Sequence, residues 1–352
     1  MRPRLAHSLR FAIPGDIETR TGGTIYDKRV MTELRLAGWA VEHLQWPASF
    51  PFPDDCDVNT VAESLAACPD GSLVMIDGLA FGVLPDLVAK EARRLRLVAL
   101  VHHPLALETG LSSEVEARLA DLERRALEHA CAVVVTSEMT ARTLTAQYGV
   151  PTQQITVAKP GVDWPAEIPH PRNTTPQLLT VGTVTPRKGH DTLVDALSMT
   201  ADLKWRCTIA GSLERSPETT AAIRKRIAGY GLDSRIALIG EVPDPEPLYR
   251  TSDLFVLPSR YEGYGMAIAE ALAFGIPVVA TSVGAIPEVV PPGAGILVPA
   301  DDPTALAGAL RQLLVDERHR ERLTRGALAA ALGLAEWRDT ADLVASALDA
   351  VQ

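Results

Sequence analysis

Short apolar runs alternate with helical patterns along this 352-residue chain, and glycine- or proline-bearing loops join them. The clearest example begins with the apolar run Leu254–Leu257 and a loop, 259–265, followed by a helical pattern from Met266 to a capping Gly275 and a second apolar run, Val278–Ala280. Short apolar runs bounded by turn residues indicate buried strands. The alternation therefore predicts an α/β fold built from repeated strand, loop and helix units.

The repeat occurs twice, once before and once after a segment that has little periodicity. That segment, Trp164–Pro176, is rich in proline and is typical of a linker. A chain of 352 residues, 47% of them hydrophobic, is long enough for two domains. We therefore predict an N-terminal domain over 1–165, a second domain over 166–334 and a separate final helix within 335–352.

Charge and composition exclude several classes of function. The net charge of −10 argues against a nucleic-acid partner, because phosphate backbones need a basic surface. No apolar run approaches the roughly 20 residues of a membrane span, and the N-terminus does not resemble a signal peptide. The cysteines lack metal or disulfide spacing, so we expect reduced, buried thiols in a cytoplasmic protein: Cys56, Cys68, Cys131 and Cys207.

A local basic group on the N-terminal half permits two interpretations. One is a solvated helix end, and the other is weak peripheral contact with the inner face of a membrane. The group comprises Lys90, Arg93, Arg94 and Arg96.

Two carboxylates stand eight residues apart in the stretch that follows Leu257. Glu262 falls in the loop and Glu270 on the second turn of the helix. An ionised carboxylate only accepts hydrogen bonds and so suits a vicinal diol, while a helix N-terminus attracts phosphate. The pair could flank a diphosphate with a ribose on one side and a sugar on the other, or could be two solvated acids.

Three other loops carry candidate ligand-binding residues. Arg187 and Lys188 follow a strand and suggest an anion site, although the loop is not a Walker motif. Gly22 and Gly23 allow a close approach to the backbone, or simply shape a turn, and they do not form the dinucleotide fingerprint. His102 and His103 end a strand, where ligands bind in open α/β sheets, but adjacent residues point apart and do not predict a metal site.

Together these motifs resemble the family 4 glycosyltransferases, and the resemblance covers nearly the whole chain. It rests on the segments 181–189, 239–244 and 262–270, together with Pro-Gly-Val-Asp at 160–163. The resemblance implies a GT-B fold, in which two Rossmann-like, doubly wound α/β domains face each other across a cleft. It also implies that the final helix crosses back to the N-terminal domain.

The resemblance implies roles for individual residues. Glu270 would hold the nucleotide ribose, Glu262 the transferred sugar, and Lys188 the leaving diphosphate. His102, rather than His103, would act in the N-terminal half. The remaining donor-binding residues would be Arg187, Tyr264, Gly265, Met266, Val242, Gly22 and Gly23.

The implied reaction is retaining transfer from a nucleotide-diphospho-sugar to an acceptor hydroxyl of a glycan, glycolipid or small molecule. No cofactor or metal is expected if Lys188, Arg187 and a helix dipole stabilise the diphosphate. One position departs from the family: many members have arginine where this chain has Thr183, and Arg187 is a candidate replacement.

Other functions remain open at the level of sequence. A sugar-nucleotide epimerase or a phosphorylase would use the same architecture, and a non-catalytic nucleotide-sugar-binding subunit would use the same site without turnover. A nicotinamide-dependent oxidoreductase is disfavoured by the missing fingerprint. The sugar, base, acceptor and oligomeric state do not follow from the spacing of these motifs.

Overall fold

The structure is a computed structural model that describes residues 7–168 and 173–351. The chain forms two compact units: one combines residues 7–161 with 335–351, and the other runs from Val162 to Leu334. In the described residues each unit contains a six-stranded parallel sheet with helices between the strands. This is the α/β architecture that the alternating pattern predicts. Part of the predicted linker, residues 169–172, lies outside the described residues.

The sheet of the first unit has the strand order β2-β1-β3-β4-β5-β6. The chain crosses from β1 to one edge and then returns to the other side, so the topology reverses beside β1. Ligands of doubly wound sheets bind at the carboxyl ends of strands near such a point. The strands are β1 Ser8–Pro14, β2 Ala40–Trp46, β3 Leu73–Asp77, β4 Arg96–Val101, β5 Ala132–Val135 and β6 Ile155–Val157.

Helices and two 3-10 turns connect these strands. Their bounds are α1 Gly22–Leu36, α2 Asp55–Ala66, α3 Gly78–Phe81, α4 Pro85–Glu91, α5 Ser113–Leu127 and α6 Glu138–Tyr148, with turns at Leu105–Leu107 and Thr152–Gln154.

The sheet of the second unit has the order β12-β11-β10-β7-β8-β9. One of its two central strands, β10, is buried along its whole length, which explains its uninterrupted apolar sequence. The strands are β7 Gln177–Val181, β8 Arg206–Ala210, β9 Ile236–Gly240, β10 Leu254–Leu257, β11 Val278–Thr281 and β12 Gly295–Val298.

The helices of the second unit follow the same alternation, and one 3-10 turn, Pro186–Lys188, precedes α7. Their bounds are α7 His190–Ser198, α8 Pro217–Gly229, α9 Glu246–Thr251, α10 Met266–Ala273, α11 Ile286–Val289, α12 Pro303–Val315 and α13 Glu317–Ala331.

The final helix, α14 Trp337–Asp349, belongs to the first unit. Its first residue, Trp337, is 5% exposed and packs edge-on against Tyr26, with the ring centroids 5.9 Å apart. Thr340 Oγ1 donates to the carbonyl oxygen of Lys159 over 2.7 Å. The backbones of Gly161 and Trp337 are also in close contact, because a Cβ at Gly161 would lie 2.2 Å from the Trp337 backbone nitrogen.

Some predicted details were wrong. Cys56 and Cys131 are exposed, whereas Cys68 and Cys207 are buried, and all four are free thiols. The predicted helical pattern beginning at Val61 is the second half of α2, which starts six residues earlier behind the capping side chain of Asp54. Its first turns are polar and therefore carry no apolar periodicity.

Two members of the basic group, Arg94 and Arg96, form hydrogen bonds within the fold. Arg94 donates to the carbonyl oxygens of Leu65 and Cys68 at 2.7 and 2.6 Å, and Arg96 donates to Gly71. These two guanidinium groups therefore hold loops of the first unit together. Among the described helices, none combines the length and apolar character needed to cross a bilayer.

Candidate active site

The loop after β10 places Glu262 among three side chains of the second unit. Lys188 Nζ lies 2.6 Å from Glu262 Oε1, and Ser259 Oγ donates to the same oxygen over 2.6 Å. Arg187 Nη1 is 3.5 Å from Oε2 and 3.0 Å from the Tyr261 carbonyl oxygen. The two loops predicted separately from the sequence thus meet at one carboxylate.

Glu262 is ionised at neutral pH despite its burial. Its side chain is only 7% exposed. Burial alone would raise the pKa of Glu262, but the charges of Lys188 and Arg187 outweigh it and lower the pKa to about 2. An ionised carboxylate beside two cations can accept hydrogen bonds from hydroxyls while the cations receive phosphate oxygens.

Close backbone contacts hold these loops in place. A Cβ at Gly189, where φ is +64°, would lie 2.0 Å from the Pro258 carbonyl oxygen. A Cβ at Gly284 would lie 2.1 Å from the carbonyl oxygen of Glu262. Glycine is required because a side chain at either position would push the two loops apart.

Arg260 fastens the same loops through its side chain. Its guanidinium group lies 2.8 Å from Asp191 and 2.8 Å from Asp301 and also donates to the Pro186 carbonyl oxygen. Its backbone N–H donates to the carbonyl oxygen of Arg187 over 2.7 Å. Arg260 therefore fixes the turn that carries Arg187 and Lys188 against the loop that carries Glu262.

Glu270 lies on α10 with a buried tyrosine as its partner. The Tyr249 hydroxyl donates to Glu270 Oε2 over 2.7 Å. Burial, followed by the charge of Glu270, raises the pKa of Tyr249 well above its ordinary value, so the hydroxyl keeps its proton. The tyrosine thus fixes the orientation of the predicted ribose-binding carboxylate.

The other donor-binding residues predicted in this unit lie around the start of α10 and after β9. Gly265, at φ +100°, immediately precedes α10, and Met266 is its first residue. The Tyr264 side chain is buried. Val242 is partly buried and lies two residues beyond the end of β9.

His102 forms a second cluster, at the strand ends of the first unit. Its Nε2 lies 3.1 Å from Asp27 Oδ1 and 3.3 Å from Asp77 Oδ2. Asp27 comes from α1 and Asp77 from the end of β3, and both are buried. A Cβ at Gly23 would lie 3.3 Å from the His102 ring, so Gly23 leaves room for it.

Burial and the carboxylates oppose each other in the titration of this cluster. Burial lowers the pKa of His102, but the charge of Asp27 and hydrogen bonds to both aspartates raise it to about 10. Burial raises the pKa of Asp27 to about 7, against the lowering effect of His102. The two carboxylates thus favour a protonated imidazole, while burial opposes the charge on Asp27.

His103, Gly22 and Gly23 lie close to this cluster in the sequence. His103 Nε2 lies 3.6 Å from Glu108. Gly22 and Gly23 are the first residues of α1, behind the capping side chain of Thr21.

The cluster has the composition of a cation site, because Asp27, Asp77 and His102 each offer one ligand atom within 4.8 Å of the others. Its nitrogen-to-oxygen distances of 3.1 and 3.3 Å are hydrogen-bond lengths. A proton on Nε2 accounts for both contacts.

Comparison with known proteins identifies the family of this chain. Residues 166–329 match the family described as glycosyl transferases group 1, and residues 73–164 match glycosyltransferase family 4. The chain belongs to the family 4 glycosyltransferases. The first matched region holds the Glu262 cluster and the second includes Asp77 and His102, whereas Asp27 precedes both.

Two relatives illustrate how far the sequence similarity extends. The lipopolysaccharide core biosynthesis mannosyltransferase LpsB of Rhizobium meliloti (strain 1021) is 38% identical over 161 residues, or 44% of each chain. A D-inositol 3-phosphate glycosyltransferase of Nocardioides sp. is 32% identical over 262 residues, covering 67% of this chain and 57% of that protein. The matches thus span about half the length of these relatives.

Solved structures share the GT-B fold of this family 4 member. Sucrose-phosphate synthase from Thermosynechococcus elongatus gives a TM-score of 0.81 at 21% identity, covering 97% of this chain and 98% of that one. Anabaena Alr3699/HepE in complex with UDP and glucose gives 0.75 at 19% identity, covering 97% and 99%. The likeness confirms the predicted fold class along nearly the whole chain.

Several site residues escaped the sequence analysis. Asp27 lies four residues before Met31 and is therefore on the buried face of α1. An acidic residue on the apolar face of a helix can be detected from the sequence. Asp77, by contrast, is one of many acids that follow a strand. Ser259, Tyr249 and Arg260 become recognisable only through the residues that they contact.

Proposed function

We propose that this chain transfers a sugar, with retention of configuration, from a nucleotide-diphospho-sugar to an acceptor hydroxyl. The observation that carries the proposal is the meeting of Glu262 with Lys188 and Arg187 beside the N-terminus of α10. The arrangement offers acceptors for sugar hydroxyls and cations for a diphosphate within a few ångströms of each other. The UDP and glucose named for the HepE structure support this class of donor.

The residues of the second unit account for binding and for departure of the nucleotide. Glu270, held by Tyr249, would accept hydrogen bonds from the ribose hydroxyls. Lys188 and Arg187 would neutralise the charge that grows on the diphosphate as its bond to the sugar breaks. Arg187 would take the place of the arginine that many family members have at the position of Thr183, since its guanidinium group lies 3.5 Å from the carboxylate that Lys188 also contacts.

We propose that no protein nucleophile and no metal takes part. The departing phosphate would accept the proton of the acceptor hydroxyl on the same face of the sugar. Two cations and the positive end of α10 supply the stabilisation that a divalent ion would otherwise give. Transfer that continues undiminished after treatment with EDTA is the expected result, and activity restored only by added Mg²⁺ or Mn²⁺ would contradict it.

A cytoplasmic location fits the proposal, because four free thiols suit a reducing compartment. An acceptor at the inner face of a membrane is compatible with it. Arg94 and Arg96 would contribute little to that contact, since both are engaged with backbone carbonyls.

Nucleotide binding tests the donor site directly. We expect one of UDP, GDP and ADP to raise the melting temperature of the wild-type protein, because a ligand that binds only the folded state stabilises it by mass action. Glu270→Gln should abolish that shift, whereas Glu218→Gln, which alters an exposed acid at the start of α8, should keep it. Equal shifts in both variants would contradict the role of Glu270.

Product analysis then tests the reaction. Incubation of the stabilising nucleotide's sugar derivatives with candidate acceptors should give a glycoside whose anomeric configuration, read by NMR, matches that of the donor. A rise in melting temperature with nucleotide, when neither a glycoside nor free nucleotide is formed from the sugar derivatives, would favour a non-catalytic binding subunit instead.

A further inference from the structure

Asp27 is a buried acid that contacts His102. The residue is 1% exposed, and its Oδ1 lies 3.1 Å from His102 Nε2. Its other oxygen, Oδ2, is buried with no hydrogen-bond partner. A buried carboxylate with an unsatisfied oxygen costs stability. Support of the fold therefore does not explain Asp27, and its contact with His102 does.

Asp77 approaches the same nitrogen from a different element. Its Oδ1 accepts the backbone N–H of Leu79 over 2.8 Å, which begins α3, and its Oδ2 lies 3.3 Å from His102 Nε2. Two carboxylate oxygens that converge on one ring nitrogen are both satisfied as acceptors when that nitrogen carries a proton. Nδ1 is then left for other partners, on a side chain that is 20% exposed.

The surroundings of the ring favour its charged form. Asp27 and Tyr26 face it from α1, and Asp77 faces it from β3. The Tyr26 ring meets it edge-on at 5.3 Å, but the Tyr26 hydroxyl donates to the Ala158 carbonyl oxygen. In the described residues around the ring, the only charges at hydrogen-bond distance are therefore negative, and an imidazolium offsets the repulsion between the two carboxylates.

We propose that Asp27 and Asp77 are positioning residues that hold His102 as an imidazolium, with Nε2–H between their carboxylates and Nδ1–H offered to an oxygen of the bound substrate. The substrate contact rests on the proposed function. A charged donor forms a shorter and stronger hydrogen bond than a neutral one. It is also held in place before the reaction, so it stabilises negative charge on that oxygen without reorganisation.

The protonation state can be measured without any turnover. In ¹⁵N-histidine-labelled wild-type protein, assigned with His102→Gln, we expect both ring nitrogens of His102 to show imidazolium shifts from pH 6 to pH 9. In Asp27→Asn the same ring should titrate between about pH 6 and 8, near the ordinary histidine value. A neutral ring at pH 7.5 in the wild type, or an unchanged titration in the variant, would overturn the proposal.

Kinetics then test whether the charge is used. The kcat/KM of wild-type protein should stay level from pH 6 to 8. That of Asp27→Asn should fall at least tenfold as its His102 loses the proton. Asp86→Asn, which alters an exposed acid of the same unit, should follow the wild type. Unchanged kcat/KM in His102→Gln would overturn the contact with substrate.

Failure of the proposed function would look different. A wild-type protein that transfers no sugar would contradict that function, while the NMR titration would still decide the state of the ring. If Asp27→Asn does not fold, Asp77→Asn provides the same test, because an asparagine oxygen can still accept the Leu79 N–H. One equivalent of zinc that copurifies with the wild type and is absent from Asp27→Asn would also overturn the proposal.

Discussion

Glu262 is a carboxylate that keeps its charge in a buried place because Lys188 and Arg187 stand beside it. Removal of either member of the Glu262–Lys188 pair leaves the other charge without its nearest partner. The cost of an uncompensated buried charge is about 3–5 kcal/mol, so activity and stability need to be measured together.

The first prediction concerns this pair. Glu262→Gln keeps the shape of the side chain and its bond to Ser259, and should lower kcat/KM for sugar transfer at least 100-fold, the rough size of a lost electrostatic contribution. Lys188→Met should lose as much activity and also unfold at lower denaturant concentration. Lys225→Met, on the exposed face of α8, is the matched control. Turnover within tenfold of wild type in Glu262→Gln would contradict the assignment.

His190 is a buried residue whose contribution changes with pH. Its two ring nitrogens are buried without hydrogen bonds. Burial, followed by the charge of Lys188, lowers its pKa from 6.5 to about 4. Between those values the unfolded chain binds a proton that the folded chain does not, so stability falls as the pH falls from 6.5 to 4.

The second prediction follows from that titration. In His190→Leu the free energy of unfolding should be at least that of wild type at pH 7, because two unsatisfied nitrogens are replaced by methyl groups. Between pH 6.5 and 4 the variant should avoid a loss of up to about 3 kcal/mol. Urea titrations at several pH values measure both effects, with exposed His129→Leu as the control. Parallel pH profiles for wild type and His190→Leu would refute the shift.

At this scale the sequence indicates some site residues and conceals others. Glu262 and Lys188 stand in motifs whose spacing identifies them. Asp27 and Asp77 are 50 residues apart in the chain, and they meet at His102 only because β1, β3 and β4 are neighbours in the sheet. Such a meeting depends on strand order, and short-range patterns carry no information about it.

At the scale of elements, the loops of the second unit depend on glycines where two backbones touch. The loop that ends at Gly189 and the strand end at Pro258 are closer than any side chain at Gly189 would allow. The position of Lys188 therefore depends on the residue that follows it.

The third prediction separates this contact from ordinary backbone strain. Gly189 and Gly231 have nearly equal φ values of +64° and +66°, but a Cβ at Gly231 would meet nothing within 4 Å. Gly231→Ala should cost about 1 kcal/mol, the usual penalty for a left-handed alanine. Gly189→Ala should cost more and should weaken nucleotide binding at least tenfold, as measured by calorimetry. Equal nucleotide affinities in the two variants would show that the close contact is unimportant for the site.

Elements with continuous apolar runs or clear caps were predicted closely from the sequence. The helix from Met266 and the strand from Leu254 begin where the pattern placed them. The sequence did not predict the polar first half of α2 or the short helix α3, which directly follows Asp77. These begin with side-chain caps on polar residues, and hydrophobic periodicity cannot reveal them.

For the whole molecule, the packing of α14 against α1 links the last part of the chain to His102. Trp337 contacts Tyr26, and Tyr26 contacts the His102 ring. Loss of the helix should therefore affect the first unit far more than the proposed nucleotide site of the second.

The fourth prediction tests that difference. Trp337→Ala should lower the free energy of unfolding of the first unit by about 3–5 kcal/mol, the usual cost of removing a buried tryptophan. Leu343→Ala, on the same helix but 43% exposed, should cost less than about 1 kcal/mol. Hydrogen exchange of amides in β4 and β10 reports on the two units separately. Equal loss of protection in both strands of Trp337→Ala would contradict the prediction.

The first unit is assembled from two stretches of chain with the whole of the second unit between them. During synthesis, residues 162–334 are added to the chain before Trp337 and emerge from the ribosome ahead of it. The second unit can therefore bury its own core while the first still exposes the face of α1 that α14 covers. The unit whose synthesis begins first is therefore completed last. In a circular permutant that starts at Ala335 and joins Gln352 to the original N-terminus, the first unit would be synthesised completely before the second.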